Sequence, residues 1–440
     1  MLINLKNISL ILTYILPIAL ISGPAVPDLV IVTICILFLS NSFYEKDFKW
    51  LRLSIVKKFF IFWLLLIFIS FFSYNKFYSF TESIIFMRFF IFLIAIYYWI
   101  LDDIEKLKKL LFIIFVTIIF LISDSLFQFI NYKSEIGYGK SLFGFQSFTY
   151  GRMTGPFNDE IIGSYISKFF FISLMIILFL NFGKYKKYIF LVFFNLSFVS
   201  VFLSGERMAL ATLILGILLL LFFNKYRKIV IASALVSILI IFTIINFHKS
   251  FNDFKIVKNE PVHLGQVIIK QFECTSEINN ICEKTIEMQP NFFTVIRNFE
   301  DSIYYKIYES GINMWVDNPL TGIGLNNFEY LCLNTDNYKI VTKNYGACSS
   351  HPHNFYLQFL IEGGIFVFLS FLVFLLAIFY KFFKNIKYDS AQISLITFVT
   401  VMWPFMSTGS LLKNHHGIII FFIICLCLLL NKFRNEIQIN

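Results

Sequence analysis

Charge is what this chain has least of: Asp, Glu, Lys and Arg together make up 15% of its 440 residues. Its apolar content is 58%, with 59 phenylalanines, more than any soluble domain hides. A polytopic membrane protein is the class that remains. Other absences narrow the chemistry. None of the seven cysteines forms a C-x-x-C pair, which argues against a zinc centre. No G-x-S-x-G elbow is present, so a Ser/His/Asp hydrolase finds little support. Gly322-Ile-Gly324 lacks the lysine and the spacing of a nucleotide cradle. No Gly/Ser linker, internal repeat or low-complexity tract interrupts the chain. No small-residue cleavage site follows the first apolar stretch, which therefore reads as a helix and not a cleaved signal. The excess of Phe, Ile, Lys and Asn over Ala and Gly looks like the codon bias of an AT-rich genome and carries no function.

What is present is a series of hydrophobic runs, near 8–22, 26–40, 59–73, 82–100, 110–130, 160–181, 188–203, 207–224, 229–247, 354–380, 389–410 and 416–431. The expected fold is all-α, with about 12 transmembrane helices, some short enough to need snorkelling ends. Every second connection is basic. Lys46, Lys49, Arg52, Lys57 and Lys58 follow the second run, and Lys106, Lys108 and Lys109 the fourth. Lys184, Lys186 and Lys187 follow the sixth, Lys225, Arg227 and Lys228 the eighth, Lys381, Lys384 and Lys387 the tenth, and Lys432 and Arg434 the last. By the positive-inside rule both termini are cytoplasmic, and the net charge of +10 is a topology signal, not a nucleic-acid patch.

The other connections then face outward, and two are long, about 131–159 and 248–352. The expected organisation is helices 1–9 in 1–247, a large, mostly helical periplasmic loop domain in 248–352, and helices 10–12 in 353–440. That loop carries Cys274, Cys282, Cys332 and Cys348, an even set on the oxidising side. Two disulfides, most simply Cys274–Cys282 and Cys332–Cys348, suit it better than a metal.

The loop closes on His351-Pro-His-Asn-Phe-Tyr-Leu-Gln-Phe-Leu-Ile-Glu-Gly-Gly364 and runs straight into an apolar helix. Polar groups at a membrane edge are costly unless they act. Pro352 suits a helix entrance, so His353 is expected within the first turn, where the helix dipole favours a neutral ring able to accept a proton. The alternative is two interfacial histidines beside a proline cap. Four cations, Arg88, Arg152, Lys168 and Arg207, are expected near the same outer surface as His353, a cationic pocket suited to a lipid-linked phosphate or pyrophosphate. Private pairing, Arg207 with Glu206 or Lys168 with Glu160, is the competing account.

The ordered set Gly155-Pro-Phe-Asn-Asp-Glu160, Gly163-Ser-Tyr165, Leu203-Ser-Gly-Glu-Arg-Met-Ala209, Asn318-Pro-Leu-Thr-Gly-Ile-Gly324, His351-Pro-His-Asn-Phe-Tyr-Leu-Gln358 and Glu362-Gly-Gly364 resembles the O-antigen ligase family of bacterial membrane glycosyltransferases, which also includes O-antigen polymerases. The resemblance implies an inverting, metal-independent transfer with no cofactor. A glycan would pass from undecaprenyl pyrophosphate to a hydroxyl of lipid A–core, or of another lipid-linked repeat unit, at the outer face of the inner membrane. It also implies residue roles. His353 resembles the family's essential histidine, the base for the acceptor hydroxyl. Arg207 resembles its pyrophosphate-binding arginine and Arg152 the arginine ahead of its Gly-Pro-Phe motif, while Arg88 and Lys168 enter as substrate ligands through the cationic pocket alone. Asn354 would orient the histidine, and Glu362 would either orient it or merely cap a helix. One departure stands out: Tyr304 falls where the family carries an arginine, with Lys306 or Arg297 as substitutes. A flippase of lipid-linked sugars is the contrary reading, but it should show inverted repeats and midplane charges.

Overall fold

The computed structural model describes residues 2–133, 137–146, 152–157, 162–179, 183–252, 254–258, 268–274, 282–287, 299–301, 303–338 and 348–437. Its helices are α1 (Leu2–Ala19), α2 (Ala25–Tyr44), α3 (Ser54–Ser70), α4 (Lys76–Ile94, continued by a π turn over Ala95–Ile100), α5 (Ile104–Ile130), α6 (Ile162–Phe179), α7 (Lys186–Leu203), α8 (Arg207–Leu220) and α9 (Asn224–Phe247), then α10 (Ile303–Asp317), α11 (Phe328–Asn334), α12 (Phe355–Phe383), α13 (Asp389–Val401) and α14 (Asn414–Lys432). Each apolar run of the sequence falls on one of them. Among the described residues, 8 helices are long and apolar enough to cross a membrane, and α6, α8 and α13 contribute shorter apolar stretches. The chain is a polytopic membrane protein. The run expected over 389–410 stops as helix at Val401, because Pro404 cannot continue the hydrogen-bond ladder.

The chain divides into two compact units, one of Met1–Ile113 with Ile303–Asn440, the other of Ile114–Ser302. In the first, α14 is the central helix, with an unbroken buried run from Gly417 to Asn431. Phenylalanines fill the space around it: Phe59 stacks on Phe90 at 3.6 Å, and Phe89 stacks on Phe421 at 5.6 Å. Hydroxyls join α3 to α4, Ser70 Oγ meeting both Ser79 Oγ and Ser83 Oγ at 2.9 Å.

The second unit packs α6 on α7 and α8, and α7 on α9. It also holds a three-stranded antiparallel sheet, order β1-β3-β2, from β1 (Phe254–Lys258), β2 (Ile268–Cys274) and β3 (Cys282–Glu287). Among the described residues of 248–352 helix still exceeds strand, so the sheet is an addition to the helical loop the sequence predicts. Phe254-Lys-Ile-Val-Lys258 and its partners are short and carry β-branched and aromatic residues, which suits strands. The sheet register sets Cys274 opposite Cys282.

α12 is broken at Gly364, whose φ of 68° and ψ of −176° are not helical. The segment Pro319–Gly324 clasps the break. Ile323 N–H donates to Ile361 O at 3.1 Å, Gly324 N–H to Glu362 O at 2.9 Å, and Ile365 N–H to Pro319 O at 3.0 Å. Side-chain room is absent: a Cβ on Gly364 would lie 2.2 Å from Leu320 O, and one on Gly322 2.5 Å from Gly364 N. The Gly322–Gly324 turn does not merely pass one helix to the next; it completes the hydrogen bonding of a broken one.

Gly364→Ala should therefore lower stability by about 2–3 kcal/mol, from backbone strain and the clash with Leu320. Gly23 is the control, because it has φ 94° but open space around it, and Gly23→Ala should cost only about 1–2 kcal/mol. Thermal melts of the two variants in detergent test the clasp; equal melting temperatures would show that it contributes nothing.

Candidate functional site

The histidine stretch lies in the first unit and is built from three chain segments. α12 begins at Phe355, not at His353, because Asn354 is the better N-cap: its Oδ1 accepts Tyr356 N–H at 2.9 Å and Leu357 N–H at 3.1 Å. His353 therefore lies outside the first turn, in the left-handed region at φ 50°. That corrects the expected placement. The connection after α13 holds this geometry from the other side. Thr408 N–H donates to His353 O at 2.7 Å, and Thr408 Oγ1 accepts Phe355 N–H at 3.1 Å. Asn354 Nδ2 donates to Pro404 O at 2.8 Å and Met406 O at 3.1 Å.

The third segment comes from the extramembrane helices. Ile307, Met314, Ile323, Phe328, Leu331, Cys332, Tyr338 and Ile361 form one buried cluster that seats α10 and α11 on α12. Tyr304, at the start of α10, then meets the His353 ring edge-on at 5.5 Å. A disulfide joins Cys332 of α11 to Cys348. It pins the backbone next to Ser349, whose hydroxyl meets His353 Nε2 at 3.0 Å. The His351 ring lies 4.3 Å from that of His353.

Burial lowers the His353 pKa below the ordinary imidazole value of 6.5 and keeps the ring neutral. The helix dipole is not needed for this. His351 is pushed down to about 4, first by burial, then by the neighbouring His353, with the Lys413 charge adding to the effect. Two imidazoles so close share an environment in which neither charges readily.

The other expected residues of this unit are committed elsewhere. Arg88 directs Nε to Asp28 at 3.2 Å, Nη1 to Ile85 O at 3.1 Å and Nη2 to Asn414 Oδ1 at 2.5 Å. Private pairing, not an open cation, describes it. Lys306 pairs with Glu309 at 3.2 Å. Glu362 is fully buried; it accepts Gln358 Nε2 at 3.0 Å and Phe328 N–H at 3.4 Å, so it caps the start of α11. Arg297 lies outside the described residues.

The second unit gathers three cations. Gly163 allows the start of α6 to approach the Ser204–Glu206 turn; a Cβ there would meet Ser204 Oγ at 2.2 Å. Ser164 N–H then donates to the Glu206 carboxylate, which caps α6. Lys168, one turn on, reaches Ser164 Oγ. Met153 donates its N–H to Ser204 O at 3.4 Å and accepts Ile162 N–H on its carbonyl at 3.1 Å, so the segment carrying Arg152 is tied to the same turn. Burial raises the Glu206 pKa, while the charges of Lys168 and Arg152 oppose that rise. Arg152 and Arg207 are near enough for their charges to act on one another. Among the described residues, Glu206 is the carboxylate whose titration the charges of Lys168 and Arg152 act on.

Ser349, Thr408, Lys413 and the capping role of Glu206 escaped the sequence reading. Only Ser349, four residues from His353, lay close enough along the chain to be noticed.

Because the folded value for His351 lies below the unfolded one, its stabilising contribution is complete above about pH 6.5 and is lost as pH falls toward about 4. Melting curves in detergent across that window should show a steeper loss in the wild type than in His351→Gln. Parallel curves would mean that His351 is not buried as described.

Residues 190–372 match the family model described as O-antigen ligase. The match spans Glu206, Arg207, Tyr304, the Pro319–Gly324 clasp, His353 and the α12 break. No curated protein matches the chain. With the ordered motifs brought to these two clusters, the match over residues 190–372 supports the resemblance to the O-antigen ligase family.

Proposed function

We propose that this protein is a membrane glycosyltransferase of the O-antigen ligase type. In this reading it moves a glycan from undecaprenyl pyrophosphate to a hydroxyl of lipid A–core, at the periplasmic face of the bacterial inner membrane, with inversion and without a metal. The observation that carries the reading is the family match over 190–372, which includes a neutral histidine whose Nε2 already holds a hydroxyl at 3.0 Å. That hydroxyl belongs to Ser349, and an acceptor sugar hydroxyl has the same chemistry.

His353 takes the acceptor proton as the glycosidic bond breaks, a contribution of ~10²–10⁴-fold for a positioned base. Arg207, Arg152 and Lys168 bind the pyrophosphate and stabilise the charge that develops on it as it leaves. Arg207 does so through the bidentate fork that phosphate oxygens accept. Tyr304 packs on the histidine at the position where the family carries an arginine.

His353→Ala should lower single-turnover transfer by roughly 10²–10⁴-fold and leave donor binding nearly intact. Arg207→Lys keeps the charge but loses the fork; donor binding and turnover should both fall by about 1–3 kcal/mol. His351→Ala should retain most activity. Equal loss in both histidine variants would reduce the stretch to a structural cap.

The second reading is a polymerase, in which the acceptor is another lipid-linked repeat unit. Lipopolysaccharide from a deletion strain separates the two. Bare core with long chains left on undecaprenyl pyrophosphate supports the ligase, and core bearing a single repeat unit supports the polymerase. Transfer in detergent, where no membrane is crossed, excludes a flippase.

A further inference from the structure

We propose that the groove between the start of α3 and the end of α12 binds one anionic phospholipid of the bilayer. The groove has a volume of about 590 Å³ and lies in the first unit, at the end of α12 far from His353. Ile55, Leu376 and Ala377 contribute to its apolar wall, while Lys58, Lys381 and Tyr97 contribute polar groups. It thus has the two parts a phospholipid requires: apolar surface for chains and cations for a phosphate.

The cations are available. Lys58 Nζ bonds Ser54 Oγ at 3.0 Å, and Lys381 Nζ bonds Tyr97 Oη at 3.4 Å while lying 5.2 Å from the centre of the tyrosine ring. Both lysines therefore hold neutral hydroxyls, and among the described residues neither has a carboxylate within ion-pair distance. Lys432 also approaches Tyr97, but its ammonium is spent on Tyr97 O at 2.9 Å and Leu101 O at 3.4 Å. Lining residues carry no acidic group, so the groove is complementary to an anion and not to a zwitterion. A tyrosine beside lysines at helix ends is the usual composition of a membrane interface.

Both helix ends belong to basic connections, 46–58 and 381–387. By the positive-inside rule the groove faces the cytoplasmic leaflet, where anionic lipid meets juxtamembrane lysines. The site is thus separate from the histidine chemistry and does not depend on what glycan is transferred.

Native mass spectrometry of the purified, delipidated full chain, titrated with phosphatidylglycerol and with phosphatidylcholine, tests the proposal. The wild type should retain one phosphatidylglycerol in clear preference to phosphatidylcholine. Lys58→Gln with Lys381→Gln should weaken that binding by roughly tenfold or more, and Lys58→Arg with Lys381→Arg should keep it. Lys184→Gln with Lys187→Gln removes the same net charge elsewhere and should change nothing. Equal retention of both lipids by the wild type would overturn the proposal. So would unchanged binding in the Lys58/Lys381 glutamine variant, or equal weakening in the Lys184/Lys187 variant.

Discussion

The first unit depends on how a broken helix in an apolar setting satisfies its backbone. At Gly364 the ladder of α12 stops, and the carbonyls of Ile361 and Glu362 lose their helical partners. In a membrane such groups cost several kcal/mol each if left alone. The Pro319–Gly324 segment supplies the missing donors, and Pro319 O accepts the N–H that restarts the helix. The residues that follow it reach the start of α4: Leu325 N–H bonds Ser79 Oγ at 3.1 Å, and Asn327 Oδ1 accepts Asn75 N–H at 2.8 Å. One turn thus joins the extramembrane helices, the α3–α4 pair and the helix that carries the histidines.

That joint explains why the histidine site is rigid. The first part of α12, from Phe355 to the break, is a short piece clamped at both ends. Asn354 and Thr408 fix its start, and the clasp fixes its finish. Glu362 adds a cap to α11, which in turn carries the disulfide that holds Ser349 against His353. A left-handed residue such as His353 persists only where its surroundings over-determine it, and here bonds from three segments do so. The strained backbone aims the ring away from the helix axis, toward Tyr304 and Ser349, instead of leaving it in the first turn.

Much of the fold was legible because apolar runs of helical length have few alternatives in a membrane protein. The motifs were legible as a set, yet their physical roles were not. Pro352 looked like a helix entrance, but Asn354 satisfies two N–H groups and outcompetes it. Arg88 looked like an open cation because Asp28 and Asn414, its partners, are distant in sequence. Glu362 read equally as a partner for the histidine or as a helix cap, and only its bond to Phe328 N–H separates the two. Thr408 contacts the site from a connection more than fifty residues away. The strands escaped because short amphipathic segments carry too few residues for a period of two to stand out against a helical one.

The central claim is that neutral His353 is the proton acceptor. The left-handed backbone at this position offers a direct test, because glycine adopts φ 50° without strain. His353→Gly should keep the fold, remove the ring and leave a space beside Ser349 and Tyr304 that free imidazole can enter. In single-turnover transfer from undecaprenyl-pyrophosphate-linked glycan, the variant should be inactive alone. Added imidazole should restore transfer in proportion to its neutral form as pH is varied. Full transfer by His353→Gly without imidazole would contradict the account.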